Sequence, residues 1–230
     1  MTDTRTQARS IFVTGTDTGI GKTLVSTGLL HALAKHHARV VGMKPVAAGT
    51  ELINGVLTNE DVIALRAATT CNVPPELDNP VLLPDPVSPH IAAARAGIQI
   101  NIAHLVACHR ELMQLADAVV VEGAGGFLVP LSQTETGADL AQALGLPVLL
   151  VVGLRLGCLN HALLTAEAIR ARGLMLAGWV ANHVDASMLA QEDNIAYLQQ
   201  KLQAPLLATI PYQSTPDPRA LVFNLPQTWL

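Results

Sequence analysis

Two lysines, two carboxylates and a run of glycines carry the chemistry open to this chain. The run is Gly15-Thr16-Asp17-Thr18-Gly19-Ile20-Gly21-Lys22-Thr23. It follows the apolar Ile11-Phe12-Val13 and opens onto a helical pattern from Leu24 to Leu33. A strand, a glycine-rich turn and a helix N-terminus in that order make an anion cradle. Backbone N–H groups of the turn converge on the anion, and the helix dipole adds partial positive charge. In the pattern G-x-x-x-x-G-K-[ST], Lys22 reaches the outer phosphates of a nucleotide and the Thr23 hydroxyl ligates Mg²⁺. Gly19, Ile20, Gly21 and Leu24 complete the expected nucleotide contacts. The fit has one irregularity: Thr16 stands where the pattern has its first glycine, and Gly15 makes the loop one residue longer.

The other charged candidates stand where strands end. Arg39 to Met43 reads as a short strand delivering Lys44-Pro45-Val46-Ala47-Ala48-Gly49. In an open α/β sheet that edge is where ligands bind, so the nearby phosphate loop turns Lys44 from a solvated charge into a site residue. Ala118 to Glu122 is an unbroken apolar run closed by a carboxylate, with Gly123-Ala124-Gly125-Gly126 after it. Phosphate-loop enzymes place such an acid near Mg²⁺, and glycines permit close backbone approach to a ligand. Thr58-Asn59-Glu60-Asp61 reads as a helix start with Thr58 as N-cap. Asp61 is then either part of that cap or a Mg²⁺ ligand, and residue types alone do not rank the two. Gly153 to His161 reads as a strand-to-helix turn, a second anion site. Asn182-His183 closes a strand from Leu174, and an Asn offers donor and acceptor to a base edge.

Positioning these residues takes a buried parallel sheet. At 230 residues, half of them apolar and few aromatic, the chain predicts one α/β domain over residues 1–230. Short strands are expected at Pro147–Val152 and Leu206–Ile210, and helices at Ile91–Ala96, Ile102–Leu115, Thr136–Leu144, Ala162–Arg170 and Gln191–Leu202. Glu51 to Leu57 reads as a polar loop. Val73 to Pro89, dense in proline but apolar, reads as an ordered excursion across the sheet edge. A net charge of −4 with scattered Lys and Arg gives no basic face for nucleic acid. Three widely spaced cysteines point to reduced thiols, and the polar Met1–Ser10 to no signal peptide. Ala143 to Leu154, the most apolar run, is too short to cross a bilayer. A cytoplasmic protein without membrane contact is the expectation. The eight histidines give no metal pair: His31 with His36, and His104 with His109, are five apart and share no helix face. No G-x-S-x-G elbow presents a nucleophilic serine, and Cys158 reads as a small buried residue.

GTDTGIGKT, KPVAAG, VVVEGAGG, VVGLRLGCLNHALLT and GWVANHV, in this order, resemble the dethiobiotin synthetase family from about Ile11 to Tyr212. The longer phosphate loop is itself a feature of that family. The resemblance implies a homodimeric P-loop NTPase-like α/β/α fold with a seven-stranded, mostly parallel sheet. It implies that 7,8-diaminononanoate, CO₂ (or bicarbonate) and ATP, with Mg²⁺, give dethiobiotin, ADP and phosphate. It gives catalytic roles to Lys44, Lys22 and Thr18, and Mg²⁺ to Thr23, Asp61 and Glu122. Asn182 becomes the adenine reader, with His183, Pro211, Tyr212 and Gln213 closing over the base and Gly123, Ala124 and Gly125 lining the nucleotide. Gly157, Cys158 and Asn160 of the partner subunit take the substrate carboxylate. Two positions depart: Ala48 stands where the family often has Ser, and Gly19 where some members have Glu. Against this stand two rivals. One is a sister ligase with another substrate. The other is a nucleotide-driven partitioning ATPase, whose signature lysine falls at Asp17 here.

Overall fold

A computed structural model describes residues 9–53 and 55–230. Met1 to Ala8, most of the polar N-terminal stretch, and Asn54 lie outside the described residues. The strands are β1 (Arg9–Gly15), β2 (Val40–Met43), β3 (Val46–Ala48), β4 (Glu51–Ile53), β5 (Val56–Thr58), β6 (Val81–Leu83), β7 (Ala118–Gly126), β8 (Val148–Leu154), β9 (Leu176–His183) and β10 (Leu206–Ile210). The α-helices are α1 (Lys22–Leu33), α2 (Glu60–Ala68), α3 (Pro75–Asp78), α4 (Pro89–Ala96), α5 (Ile102–Leu115), α6 (Gly137–Leu144), α7 (Cys158–Ala171) and α8 (Gln191–Lys201).

Alternation along the strands decides the layering. Ile11 and Val13 of β1 pack with Val25, Leu29, Leu30 and Leu33 of α1 and Leu65 of α2. Phe12, between them, faces the opposite layer with Leu112 of α5, Ala141 of α6, Ala162 of α7 and Leu198 of α8. Both faces of a strand are buried only when helices cover both, which a parallel sheet requires. The central sheet has six strands in the order β10-β9-β8-β1-β7-β2, and every pairing is parallel. All six carboxyl ends therefore open on one edge, with β1 near the middle.

The expected seventh strand does not join this sheet. After β2, the Lys44 N–H donates to the Asp78 carbonyl (2.7 Å), and Pro45 has no N–H to give a ladder. The chain turns away, and β3 pairs in parallel with β6 in a two-stranded sheet. Val46, Leu83, Ala92 and Leu105 bury a smaller core there, which orders the proline-dense excursion. The loop expected at Glu51–Leu57 is instead an antiparallel hairpin, β4 with β5, in which Leu52, Val56 and Leu57 are exposed. Its turn uses Gly55 at φ +81°, and Leu52-Ile53 and Val56-Leu57, one apolar pair on each strand, make this segment a hairpin rather than a loop. Helix α7 starts four residues before the expected Ala162, at Cys158, because Gly157 takes the left-handed conformation (φ 97°) and the helix begins at once.

Candidate active site

The phosphate loop is seated by one side chain. Ile20 is buried between the ends of β1 and β8, and both neighbours there are glycines. A Cβ on Gly15 would lie 2.6 Å from Ile20 Cδ1, and one on Gly153 would lie 2.5 Å from Ile20 Cγ2. Asn182, at the end of β9, donates from Nδ2 to the Ile20 carbonyl (2.8 Å). Gly21 takes φ +84° directly beneath that amide. Lys22 opens α1 and donates from Nζ to the Asp17 carbonyl (3.0 Å). Asp17 in turn accepts the Thr18 N–H (2.7 Å) and pairs with Arg155. Thr18 and Gly19 are exposed at the crest of the loop, and a Cβ on Gly125 would come 3.4 Å from the Thr18 hydroxyl.

Beside the loop, three segments meet in a charged corner. Lys44 Nζ lies 2.7 Å from Asp61 Oδ2 and 2.5 Å from Glu122 Oε1. The Thr23 hydroxyl lies 2.6 Å from Asp61 Oδ1 and 2.9 Å from Glu122 Oε1, and its single hydrogen serves one of the two. Lys44 is 4% exposed and Glu122 is fully buried, so these charges survive only because each has its partners. Lys44 is further held through its backbone: Asn79 Nδ2 donates to its carbonyl (2.7 Å), and Arg66 fixes Asp78 with two hydrogen bonds (2.8 and 2.5 Å). Asp61 stands in the first turn of α2, and the N-cap there is Asn59, not Thr58. The Asn59 side chain accepts the Asp61 N–H (3.0 Å) and donates to the Gly49 carbonyl (2.8 Å). Asn59 thus relieves Asp61 of capping and leaves its carboxylate for Lys44 and Thr23.

The two lysines respond oppositely to this setting. Burial and the nearby Lys44 ammonium push Lys22 below the usual lysine value. Burial works against the Lys44 ammonium too, but Glu122 and Asp61 outweigh it and hold Lys44 above that value. Burial likewise opposes the Asp61 carboxylate, and Lys44 and Thr23 overcome it, so Asp61 titrates below the usual range.

The corner fits a small hard cation. Thr23, Asp61 and Glu122 bring a hydroxyl and two carboxylates together, an all-oxygen donor set of the kind Mg²⁺ takes with nucleotide phosphates. Glu122 Oε2 is buried without a hydrogen-bond partner among the described residues, which leaves one carboxylate oxygen for a cation or its water shell. No cluster of three or more His, Cys, Asp or Glu gathers among the described residues.

The remaining candidates are spread along the same edge. Ala48 is half-buried at the end of β3, with its carbonyl 3.4 Å from Asn59 Nδ2. Gly123, Ala124 and Gly125 continue β7 past Glu122. His183 follows Asn182 at the end of β9, and Pro211, Tyr212 and Gln213 are exposed just after β10. Gly157, Cys158 and Asn160 begin α7 after β8. Two strands lie between β8 and β2, so this turn stands roughly 14 Å along the edge from Lys44. Asn160 is exposed, but Cys158 is not a ligand-facing residue: its side chain packs in the core and its N–H donates to the Arg155 carbonyl (3.0 Å). A cavity of about 1070 Å³ lies elsewhere. Arg9, Arg39, Arg110, His109 and Asp117 line it at the amino edge of the sheet, and none of the site residues does.

Sequence reasoning did not single out Asn59, Asp78, Asn79, Arg66 or Arg155, all of which hold the site in shape. Asn59 had a signal, since Asn caps helices as well as Thr does. The others act across turns and between elements, where no spacing rule reaches.

Comparison with known proteins places the chain among P-loop NTPase-like folds. A family model described as "AAA domain" (AAA_26) matches residues 9–220. A ParA family ATPase from Chlorobium tepidum TLS is similar at a TM-score of 0.55 and 13% identity, covering 90% of this chain and 86% of that one. The MinC:MinD cell division protein complex of Aquifex aeolicus is similar at 0.55 and 18%, covering 90% and 82%. The signal recognition particle receptor FtsY of Elizabethkingia anophelis, in complex with GDP, is similar at 0.56 and 16%, covering 97% of this chain and 63% of that chain. At these identities the likeness is one of fold: a three-layer α/β P-loop NTPase-like architecture. Among the described residues no helix is long and apolar enough to cross a membrane.

Proposed function

The chain belongs to the AAA_26 family, which includes dethiobiotin synthetase, and we propose that it is a P-loop ligase of that kind. The reaction is closure of 7,8-diaminononanoate and CO₂ to dethiobiotin at the expense of ATP, by a homodimer of one-domain chains in the cytoplasm. One observation carries the reading: a second buried lysine, Lys44, stands at the strand end beside the phosphate loop's own Lys22. The rival partitioning ATPase would carry its second lysine inside the phosphate loop, at the position of Asp17, whereas here the second lysine comes from the end of β2. A ligase that handles a carbamate and a phosphoryl group together has work for two.

The chemistry runs through anions at each stage. One substrate amine captures CO₂ as a carbamate, whose oxygen attacks the γ-phosphate and releases ADP. The second amine attacks the carbonyl of the resulting carbamic–phosphoric anhydride and expels phosphate, closing the ring. Positioning and charge stabilisation therefore do most of the work. Lys22 and the N–H groups of Gly19 to Leu24 hold the phosphates. Lys44 stands between carbamate and γ-phosphate, kept protonated by Asp61 and Glu122. Thr18, at the exposed crest, hydrogen-bonds toward the same atoms. Thr23, Asp61 and Glu122 would hold Mg²⁺, which when bound neutralises phosphate oxygens. Asn182 spends Nδ2 on Ile20 and keeps Oδ1 to accept the exocyclic amine of adenine. Gly157 and Asn160 stand at the far side of the edge from Lys44, and by the resemblance the partner subunit's copy of that turn takes the substrate carboxylate.

The test is ADP release with Mg²⁺-ATP, bicarbonate and 7,8-diaminononanoate, with mass detection of the cyclic urea. ATP turnover indifferent to the diamine would overturn the reading.

A further inference from the structure

Asp17 is a carboxylate at the mouth of an anion cradle, and all three of its oxygens are engaged. Its carbonyl holds Lys22 Nζ (3.0 Å). One carboxylate oxygen accepts the Thr18 N–H (2.7 Å), and the other pairs with Arg155. The first two contacts are local to the loop. The third is not: Arg155 comes from the turn between β8 and α7, and it reaches across the sheet edge. A bare carboxylate among N–H groups meant for phosphate would repel an incoming triphosphate. A carboxylate paired with a guanidinium does not.

We propose that Arg155 is a positioning residue for the phosphate loop: it neutralises Asp17 and fixes the loop through it, and so sets the affinity for nucleoside triphosphate. This rests on the nucleotide-dependent reading of the site, but not on the identity of the second substrate. The turn that carries Arg155 does not need the side chain, because the Cys158 N–H is held by the Arg155 backbone carbonyl. Arg155→Ala therefore removes the charge and leaves the start of α7 in place. Asp17→Asn keeps an oxygen for the Thr18 N–H and removes the opposing charge.

The experiment measures Mg²⁺-ATP and Mg²⁺-ADP dissociation constants by calorimetry, without the diamine, for wild type, Arg155→Ala, Arg155→Lys, Asp17→Asn and the double variant Asp17→Asn/Arg155→Ala. Arg155→Ala is expected to weaken ATP binding about tenfold at low salt, ADP less, with the defect shrinking as ionic strength rises. Arg155→Lys should retain most of the affinity. The double variant should return to within about threefold of wild type, since no unpaired carboxylate remains. Arg155→Ala binding ATP within twofold of wild type would overturn the proposal, as would a double variant as weak as Arg155→Ala. A protein that binds ATP as expected but never turns it over with the diamine would leave this proposal standing and remove the ligase reading alone.

Discussion

Lys22 and Lys44 are the same residue type, both buried and at one sheet edge, yet their surroundings push them in opposite directions. Lys22 has a neutral carbonyl as its hydrogen-bond partner and the Lys44 charge close by. Lys44 has two carboxylates. The first is a buried cation without a carboxylate of its own, and on the proposed function a bound phosphate would offset the cost of its burial. The second is a cation already neutralised, built into the fold and held protonated. A phosphate loop supplies the first by local sequence alone, whereas the second exists only because β2, α2 and β7 meet. Pre-organisation at this site is therefore uneven: the Lys44 charge is paired with carboxylates by the fold, and the Lys22 charge rests on a neutral carbonyl.

The largest effects should come from breaking the corner. Lys44→Ala leaves Glu122, fully buried, without its cation, and breaking a buried pair in this way costs about 3–5 kcal/mol. Urea unfolding should show this loss, and Lys44→Met/Glu122→Gln should be more stable than the two single losses predict. In the ring-closure assay Lys44→Ala should fall about 10²–10³-fold while nucleotide still binds. A near-wild-type rate would remove Lys44 from the mechanism and dissolve the contrast.

Lys22→Ala should cost as much activity, about 10²–10³-fold, but little stability, since it deletes an unpaired buried charge. A stability loss equal to that of Lys44→Ala would mean that the two lysines are not in different situations. The same contrast has a sign in pH. The folded-state pKa of Lys44 is raised, so its stabilisation is present below the lysine reference value of 10.5 and is lost as pH rises through the folded value. The Lys22 pKa is lowered, so its charge opposes folding at neutral pH, and that opposition fades as pH rises toward 10.5. Stability of the Ala variants against wild type, followed from pH 7 into the alkaline range, should diverge in these two directions.

The same unevenness explains what could be read from the sequence. The loop was visible because its parts are adjacent: a strand, three glycines in a fixed register, Lys22 and Thr23. Glu122 and Lys44 were visible as strand ends, since a parallel sheet puts every carboxyl end on one edge. Helix α5 and strand β10 lie where periodicity put them. The sheet came out one strand short because Pro45 and the Asp78 carbonyl divert the chain, and the partner that captures β3 lies in the proline-dense stretch. Cys158 was placed at a ligand by its neighbours in the motif, but α7 begins there, and the helix turns its thiol into the core. The supports of Lys44, Asn79 and Asp78, precede a strand of no marked pattern and gave no signal.

The smallest predicted effect concerns Ala48, the one position where a neutral group, not a charge, separates this chain from the pattern it resembles. Ala48 ends β3, half-buried, a few residues beyond Lys44. On the proposed function a serine hydroxyl there would add one neutral hydrogen bond toward the carbamate, and such a bond contributes roughly 0.5–1.5 kcal/mol, at most about tenfold. Ala48→Ser should therefore raise kcat/KM for the diamine by a factor of a few and leave nucleotide affinity unchanged, because no phosphate contact is altered. If the gain appears with 7,8-diaminononanoate, charge from Lys44 does most of the positioning and a hydroxyl refines it. If serine lowers turnover instead, the pocket beside Lys44 is shaped for a different amine, and the two-lysine corner serves another substrate of the same chemical class.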